Sequence, residues 1–210
     1  MEAAKTMVPD PVAHEGDLLW TIPNVLTVIR IILTPVYLLL LFSELWYARV
    51  SGCVVFGLAA LTDLYDGRIA RRAGTTTEFG RFMDPLADKL LVSSALVAFV
   101  MMQLVHAWLV IVTLVRDVAI TLLRTLLIRK GHPLETSFFA KIKTMLQLVV
   151  VSCIMLALAV QGTLLEYGVE VYTLTGAWEA TLVNGAVGVV TVLAVVSGLQ
   201  YLVAAWRATA

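Results

Sequence analysis

Four aspartates fall as two pairs, Asp63 with Asp66 and Asp84 with Asp88, spaced three and four residues apart. Residues three or four apart share a face of a helix, so each pair offers two carboxylates from one side of its own helix. The short polar link Ala73-Gly74-Thr75-Thr76-Thr77-Glu78 lets those helices return as an antiparallel hairpin, with the two acidic faces together. Four negative charges so close would repel strongly at low dielectric, and the arrangement makes sense with cations among them. Carboxylates that merely paired with surface arginines would need no such regularity on both helices. Every ligand on offer is a hard oxygen, with no histidine or cysteine nearby, which favours Mg²⁺ or Mn²⁺ over zinc. Two ions roughly 3.5–4 Å apart can stabilise charge on a phosphate undergoing in-line displacement, and a two-ion site is expected here. Gly67 and Gly80 leave backbone open to close ligand approach, and Arg71 is placed to pair with a phosphate.

The elements that must carry these groups are set by composition. Of the 210 residues, 60% are hydrophobic and 14% charged, far from a soluble composition. A bilayer core about 30 Å thick needs roughly 20 apolar residues per span. Six stretches qualify, near 23–42, 50–71, 83–105, 107–129, 138–160 and 182–205. Residues 1–20 hold Glu2, Lys5, Asp10, Glu15 and Asp17 with two prolines, unlike a cleavable signal peptide, and are expected to be a cytoplasmic lead-in. Residues 21–210 then form one six-helix domain. Cys53 and Cys153 lack metal or redox spacing and are expected in packing roles.

Zero net charge conceals an uneven layout. Arg68, Arg71, Arg72 and Arg81 join spans two and three, and Arg129, Lys130, Lys141 and Lys143 join spans four and five, whereas 161–180 carries Glu166, Glu170 and Glu179 and no basic residue. Positive residues stay inside, so the basic joints and both termini are expected on the cytoplasmic side, as an even span count requires. Arg49 is a lone basic residue in the outer link. In span one, Asn24, Thr27, Arg30 and Thr34 recur at helical spacing. An arginine facing lipid is costly, so this stripe is expected to point into the bundle rather than to snorkel outward. Arg116, Asp117, Thr121 and Arg124 on span four, and Lys141, Lys143, Thr144 and Gln147 on span five, lie in the same cytoplasmic half or near mid-membrane. The expected fold is an all-α integral-membrane bundle of six transmembrane helices around a cytoplasmic-side polar cavity. Span six, apolar apart from residues such as Asn184, Ser197 and Gln200, is expected to be scaffold, or a dimer or lipid face.

The run Asp63-x2-Asp66-Gly67-x2-Ala70-Arg71-x8-Gly80-x3-Asp84-x3-Asp88 resembles, at every fixed position, the signature of the CDP-alcohol phosphatidyltransferases. Pro23-Asn24-x2-Thr27-x2-Arg30, Arg116-Asp117 with Arg124, and Lys141-x-Lys143-Thr144 look like the bacterial phosphatidylglycerolphosphate synthase branch, although Ala140 stands where that branch usually has glycine. The resemblance implies that Asp63 and Asp84 bridge two metals, that Asp66 and Asp88 complete one site each, and that Asp88 deprotonates the acceptor hydroxyl. It also implies that the cytidine diphosphate lies against Asn24, Gly67, Arg71 and Thr77; Thr27 and Gly80 are expected in the same CDP-lipid site.

The expected reaction takes CDP-diacylglycerol and glycerol 3-phosphate to phosphatidylglycerol phosphate and CMP, in a bacterial-type inner membrane. Arg116, Arg124, Lys141 and Lys143 suit an anionic acceptor, though the lysines also read as positive-inside anchors. A homodimer among membrane lipids is expected from the resemblance, and no nucleic-acid partner is expected. One alternative is a sister transferase accepting inositol phosphate, serine or phosphatidylglycerol. Another is a divalent-cation channel or transporter, which leaves Gly67, Arg71 and the basic cluster without a role.

Overall fold

The computed structural model describes residues 22–73, 78–129, 138–169 and 176–209, without the side chains at 22–24, 63–73, 78–88, 129, 177 and 208–209. The lead-in over 1–20 therefore lies outside the described residues. Those described form six helices and no strand: α1 (Ile22–Leu41), α2 (Trp46–Ala73), α3 (Glu78–Met101), α4 (Ala107–Arg129), α5 (Phe138–Glu166) and α6 (Ala177–Thr209). The shortest has 20 residues and the longest 33, so at 1.5 Å per residue each is at least about 30 Å long. The six-helix expectation holds in number and order.

Several helix ends differ from the hydropathy pattern, and two of them show a backbone cause. Helix α2 begins at Trp46 rather than near 50, which draws Arg49 into its first turn, where Nε donates to the Ser43 carbonyl at 3.0 Å. Helix α3 stops at Met101 although the apolar run continues to Val105. The stop is a backbone event: Gln103 adopts φ 60°, its N–H donates to Val100 O, and Leu104 N–H donates to Phe99 O, both at 2.9 Å. This double bond pattern is the Schellman helix ending. Leu104 and Val105 then fold back into the core, so their hydrophobicity serves packing instead of helix length. Helix α5 ends in the same way at Gly168, φ 70°, where the left-handed conformation carries no steric penalty.

Pro23 sits in the first turn of α1, where its missing donor costs nothing. Helix α1 packs against both α2 and α3, α2 against α5, and α6 against α4 and α5. At the α1–α2 crossing a Cβ on Gly52 would stand 3.1 Å from Leu40 Cβ and 3.3 Å from Tyr37 O, so glycine permits the close approach. Tyr37 is fully buried; its ring meets Phe56 edge-on at 5.4 Å, and its hydroxyl donates to Leu91 O at 3.0 Å and contacts Ser94 Oγ. Burying the phenol without such partners would be costly. Helix α6 is fastened to α4 by Thr113 and Thr191, hydroxyl to hydroxyl at 3.1 Å. It is also fastened by Asn184, which accepts from His106 N–H at 2.8 Å and donates to Leu104 O at 3.2 Å.

Large apolar side chains cover much of the outside, Leu39, Met101, Val115, Leu182 and Val192 among them. Helices Phe138–Glu166 and Trp178–Arg207 are long and apolar enough to cross a membrane, and only 28% and 39% of their most apolar windows are buried. The core helix of a water-soluble domain would hide that surface.

Candidate active site

The acidic signature is carried on two unbroken helices. Positions 63, 66, 67 and 71 lie within α2, and positions 80, 84 and 88 within α3. Their side chains, that of Asn24 and all of Thr77 lie outside the described residues. The paired acidic positions are thus each about one helical turn apart on a continuous helix, and both helices lean on α1. Four carboxylates with no soft donor in the set suit a hard divalent cation. Among the described side chains no group of three histidine, cysteine or acidic residues offers another metal site.

The α1 stripe faces inward as its spacing predicts: Thr27, Arg30 and Thr34 are all buried, Arg30 to 2% exposure. Thr34 Oγ1 donates to Arg30 O at 2.9 Å, tying the stripe to its own helix one turn before Pro35. Tyr37 continues the same face into the core.

Beside α3, side chains of α4, α5 and α6 converge on Asp117 and its neighbour Arg116. Its carboxylate accepts from Lys143 Nζ with both oxygens, at 2.7 and 2.5 Å, and from Arg116 Nη1 at 3.0 Å. Its main-chain oxygen accepts from Lys89 Nζ at 2.9 Å and from Thr121 Oγ1 at 2.6 Å. Arg116 extends onward to α6, where Nη2 donates to Ser197 Oγ at 2.7 Å. Its stem lies over Gly198, where a Cβ would stand 3.2 Å from Arg116 Cγ. Asp117 and Lys143 are buried, so losing one partner would strand the other's charge, at about 3–5 kcal/mol. The cluster adjoins the acidic signature through the chain itself, because Lys89 directly follows Asp88.

Of the four basic residues expected around an acceptor, the structure joins Arg116 and Lys143 through Asp117. Arg124 and Lys141 are exposed and stand outside that cluster. Sequence reasoning assigned no task to Asp117, Lys89 or Ser197. An Arg-Asp dipeptide amid apolar residues was a usable signal for Asp117. Ser197 and Gly198 carried none, because a lone serine in an apolar helix has the same composition whether it meets lipid or a guanidinium. Helix α6 is therefore more than apolar scaffold: Thr191 and Ser197 are its polar fastenings to α4, and Asn184 ties it to the connection between α3 and α4.

The family model of the CDP-alcohol phosphatidyltransferases matches residues 20–183. The chain is 37% identical over 150 residues to a Bacillus subtilis protein named CDP-diacylglycerol–glycerol-3-phosphate 3-phosphatidyltransferase, covering 66% of this chain and 78% of the relative. It is 39% identical over 139 residues to a Mycobacterium tuberculosis protein named probable phosphatidylglycerophosphate synthase, covering 65% of this chain and 66% of that one. A Wigglesworthia glossinidia brevipalpis protein with the same name as the Bacillus one is 29% identical over 197 residues, covering 89% of this chain and 95% of the relative. The matched segment contains all four helices that carry the acidic signature and the Asp117 cluster up to Lys143, and the chain belongs to the CDP-alcohol phosphatidyltransferase family.

Proposed function

We propose that this protein transfers the phosphatidyl group of CDP-diacylglycerol to glycerol 3-phosphate, releasing CMP and giving phosphatidylglycerol phosphate. The observation that carries the choice of acceptor is the shared name of relatives that match along most of their length. The buried Lys143 and the half-buried Arg116, joined through Asp117 beside α3, support an acceptor that brings negative charge.

In this reading Asp63, Asp66, Asp84 and Asp88 hold two divalent ions, Mg²⁺ or Mn²⁺. When bound, the ions supply neutralising charge to the diphosphate. Asn24, Thr27, Gly67, Arg71, Thr77 and Gly80 bind and orient the CDP-lipid. Asp88 takes the proton from the acceptor hydroxyl, a carboxylate being a sufficient base once the surrounding charge is adjusted. Arg116, Arg124, Lys141 and Lys143 draw in and orient the acceptor phosphate.

The exposed apolar faces and the two long apolar helices support a bundle embedded in a bilayer. The layout of basic residues supports a cytoplasmic active site in a bacterial-type inner membrane, with the lead-in over 1–20 on the same side. A homodimer follows from family likeness.

The test is an acceptor panel. Purified protein with CDP-diacylglycerol and Mg²⁺ is given labelled glycerol 3-phosphate, inositol phosphate, serine or phosphatidylglycerol, and CMP and labelled lipid are followed. Glycerol 3-phosphate should give both products. Product with another acceptor alone would make the protein a sister transferase, and cation flux into liposomes without CMP would make it a transporter.

A further inference from the structure

We propose that Asp117 is a positioning residue for the acceptor phosphate, holding the Lys143 ammonium and the Arg116 guanidinium in place before the acceptor arrives. The inference rests on the glycerol 3-phosphate reading above. Asp117 is itself the centre of the arrangement, 8% exposed, with one cation from α5 on both its carboxylate oxygens and one from α4 on Oδ1. Its main-chain oxygen takes Lys89 from α3, so three cationic side chains converge on one residue.

Pairing with Asp117 leaves donors to spare. An ammonium has three donors and a guanidinium five. Lys143 spends two on Asp117, and Arg116 spends one on Asp117 and one on Ser197. Arg116 Nε is packed against α6 at Gly198, so the guanidinium donors left to spare are on its two terminal nitrogens. A purely structural ion pair would be expected to match its charges, whereas here one carboxylate steadies two cations and leaves each able to donate further.

Without the carboxylate, Lys143 and Arg116 would repel each other, and the flexible lysine stem would take up other rotamers. An incoming phosphate would then have to gather both charges itself. Fixing them beforehand removes that ordering cost from binding. The placement suits the reaction, because Lys89 ties the cluster to the helix turn that carries Asp88. A hydroxyl presented to Asp88 and a phosphate held by Lys143 and Arg116 can then belong to one small molecule. If Asp117 instead competed with the phosphate for these cations, removing its charge would tighten acceptor binding, so the sign of the effect decides between the two.

The test measures kcat and the two KM values in full-length protein, beside thermal unfolding. Asp117→Asn should raise the KM for glycerol 3-phosphate at least about tenfold, as loss of an oriented charge-assisted hydrogen bond does, with the KM for CDP-diacylglycerol changed less than about twofold. An unchanged or lowered acceptor KM in folded protein overturns the proposal. Should Asp117→Asn fail to fold, the exchange Asp117→Lys with Lys143→Asp keeps the buried pair but moves the cation from α5 to α4. The exchanged protein should fold and keep the raised acceptor KM. Recovery of the wild-type value would reduce the pair to a brace between helices and overturn the proposal. Absence of CMP formation by the wild type with glycerol 3-phosphate defeats the acceptor reading itself, an outcome distinct from a working wild type whose variants show no shift.

Discussion

The Arg116 stem crosses α6 directly over Gly198, leaving 3.2 Å between Arg116 Cγ and the place a Cβ would occupy. The position of the guanidinium therefore depends on a residue with no side chain, three helical turns from the end of α6. Gly198→Ala asks the stem to move by a few tenths of an ångström, while Gly198→Leu has no room at all. Overpacking of this kind costs about 1–3 kcal/mol. Gly198→Leu should lower the unfolding midpoint in detergent by several degrees and weaken the Arg116–Ser197 bond, with Gly198→Ala intermediate. A Gly198→Leu protein as stable as the wild type would show that α6 does not press on Arg116.

Asp88→Asn should stop CMP release while leaving the protein folded. Loss of a general base typically lowers turnover by about 10²–10⁴-fold, and steady-state CMP formation by purified protein measures it. Near-wild-type turnover would remove Asp88 from that role.

Chelation should abolish activity, and added Mg²⁺ or Mn²⁺ should restore it, since an all-carboxylate donor set prefers hard cations. Activity is measured after dialysis against EDTA and again after each metal is returned. Restoration by Zn²⁺ alone would point to a different set of ligands.

How much of this was legible beforehand depends on which physical signal each feature leaves. Regular spacing is visible in a sequence, so the paired aspartates and the Thr27, Arg30, Thr34 stripe could be read, and the stripe is indeed buried. Hydropathy locates apolar length but not backbone stops, which is why the run through Val105 hid the ending of α3 at Met101. Partner choice is a tertiary matter. Nothing in the order of residues says that Lys143 will meet Asp117 across 26 positions, or that Ser197 will cap Arg116 across 81. The basic residues of α4 and α5 were thus visible as a charged set, but the role of the carboxylate that gathers two of them was not.

Gln103 offers a test of the helix ending. A non-glycine residue in the left-handed region costs about 1–2 kcal/mol, and Gln103 sits there with φ 60°. Gln103→Gly should raise the unfolding midpoint by a few degrees, and the β-branched Gln103→Val should lower it. Equal stability of all three proteins would mean the turn relaxes without cost.

Asn184 should separate stability from activity. Its amide serves His106 N–H, Leu104 O and Ala180 O; Ala180 O keeps its helical partner, but Asn184→Ala takes this partner from the His106 N–H and the Leu104 carbonyl. A loss of about 1–3 kcal/mol is expected. Ser197 lies thirteen residues further along α6, about 20 Å away, so both KM values should stay at wild type. A raised acceptor KM in Asn184→Ala would show that the two ends of α6 move together.

The order in which the helices lean on one another bears on how the protein is made. Helices α1, α2 and α3 pack together and all lie in the first half of the chain, so the half that carries the aspartates can gather before the rest has been made. Arg116, by contrast, waits for Ser197, which emerges 81 residues later. A nascent chain cut short before α6 would hold the nearly assembled helices of the acidic signature beside an unfinished cationic cluster, and the closing helix is what completes that cluster.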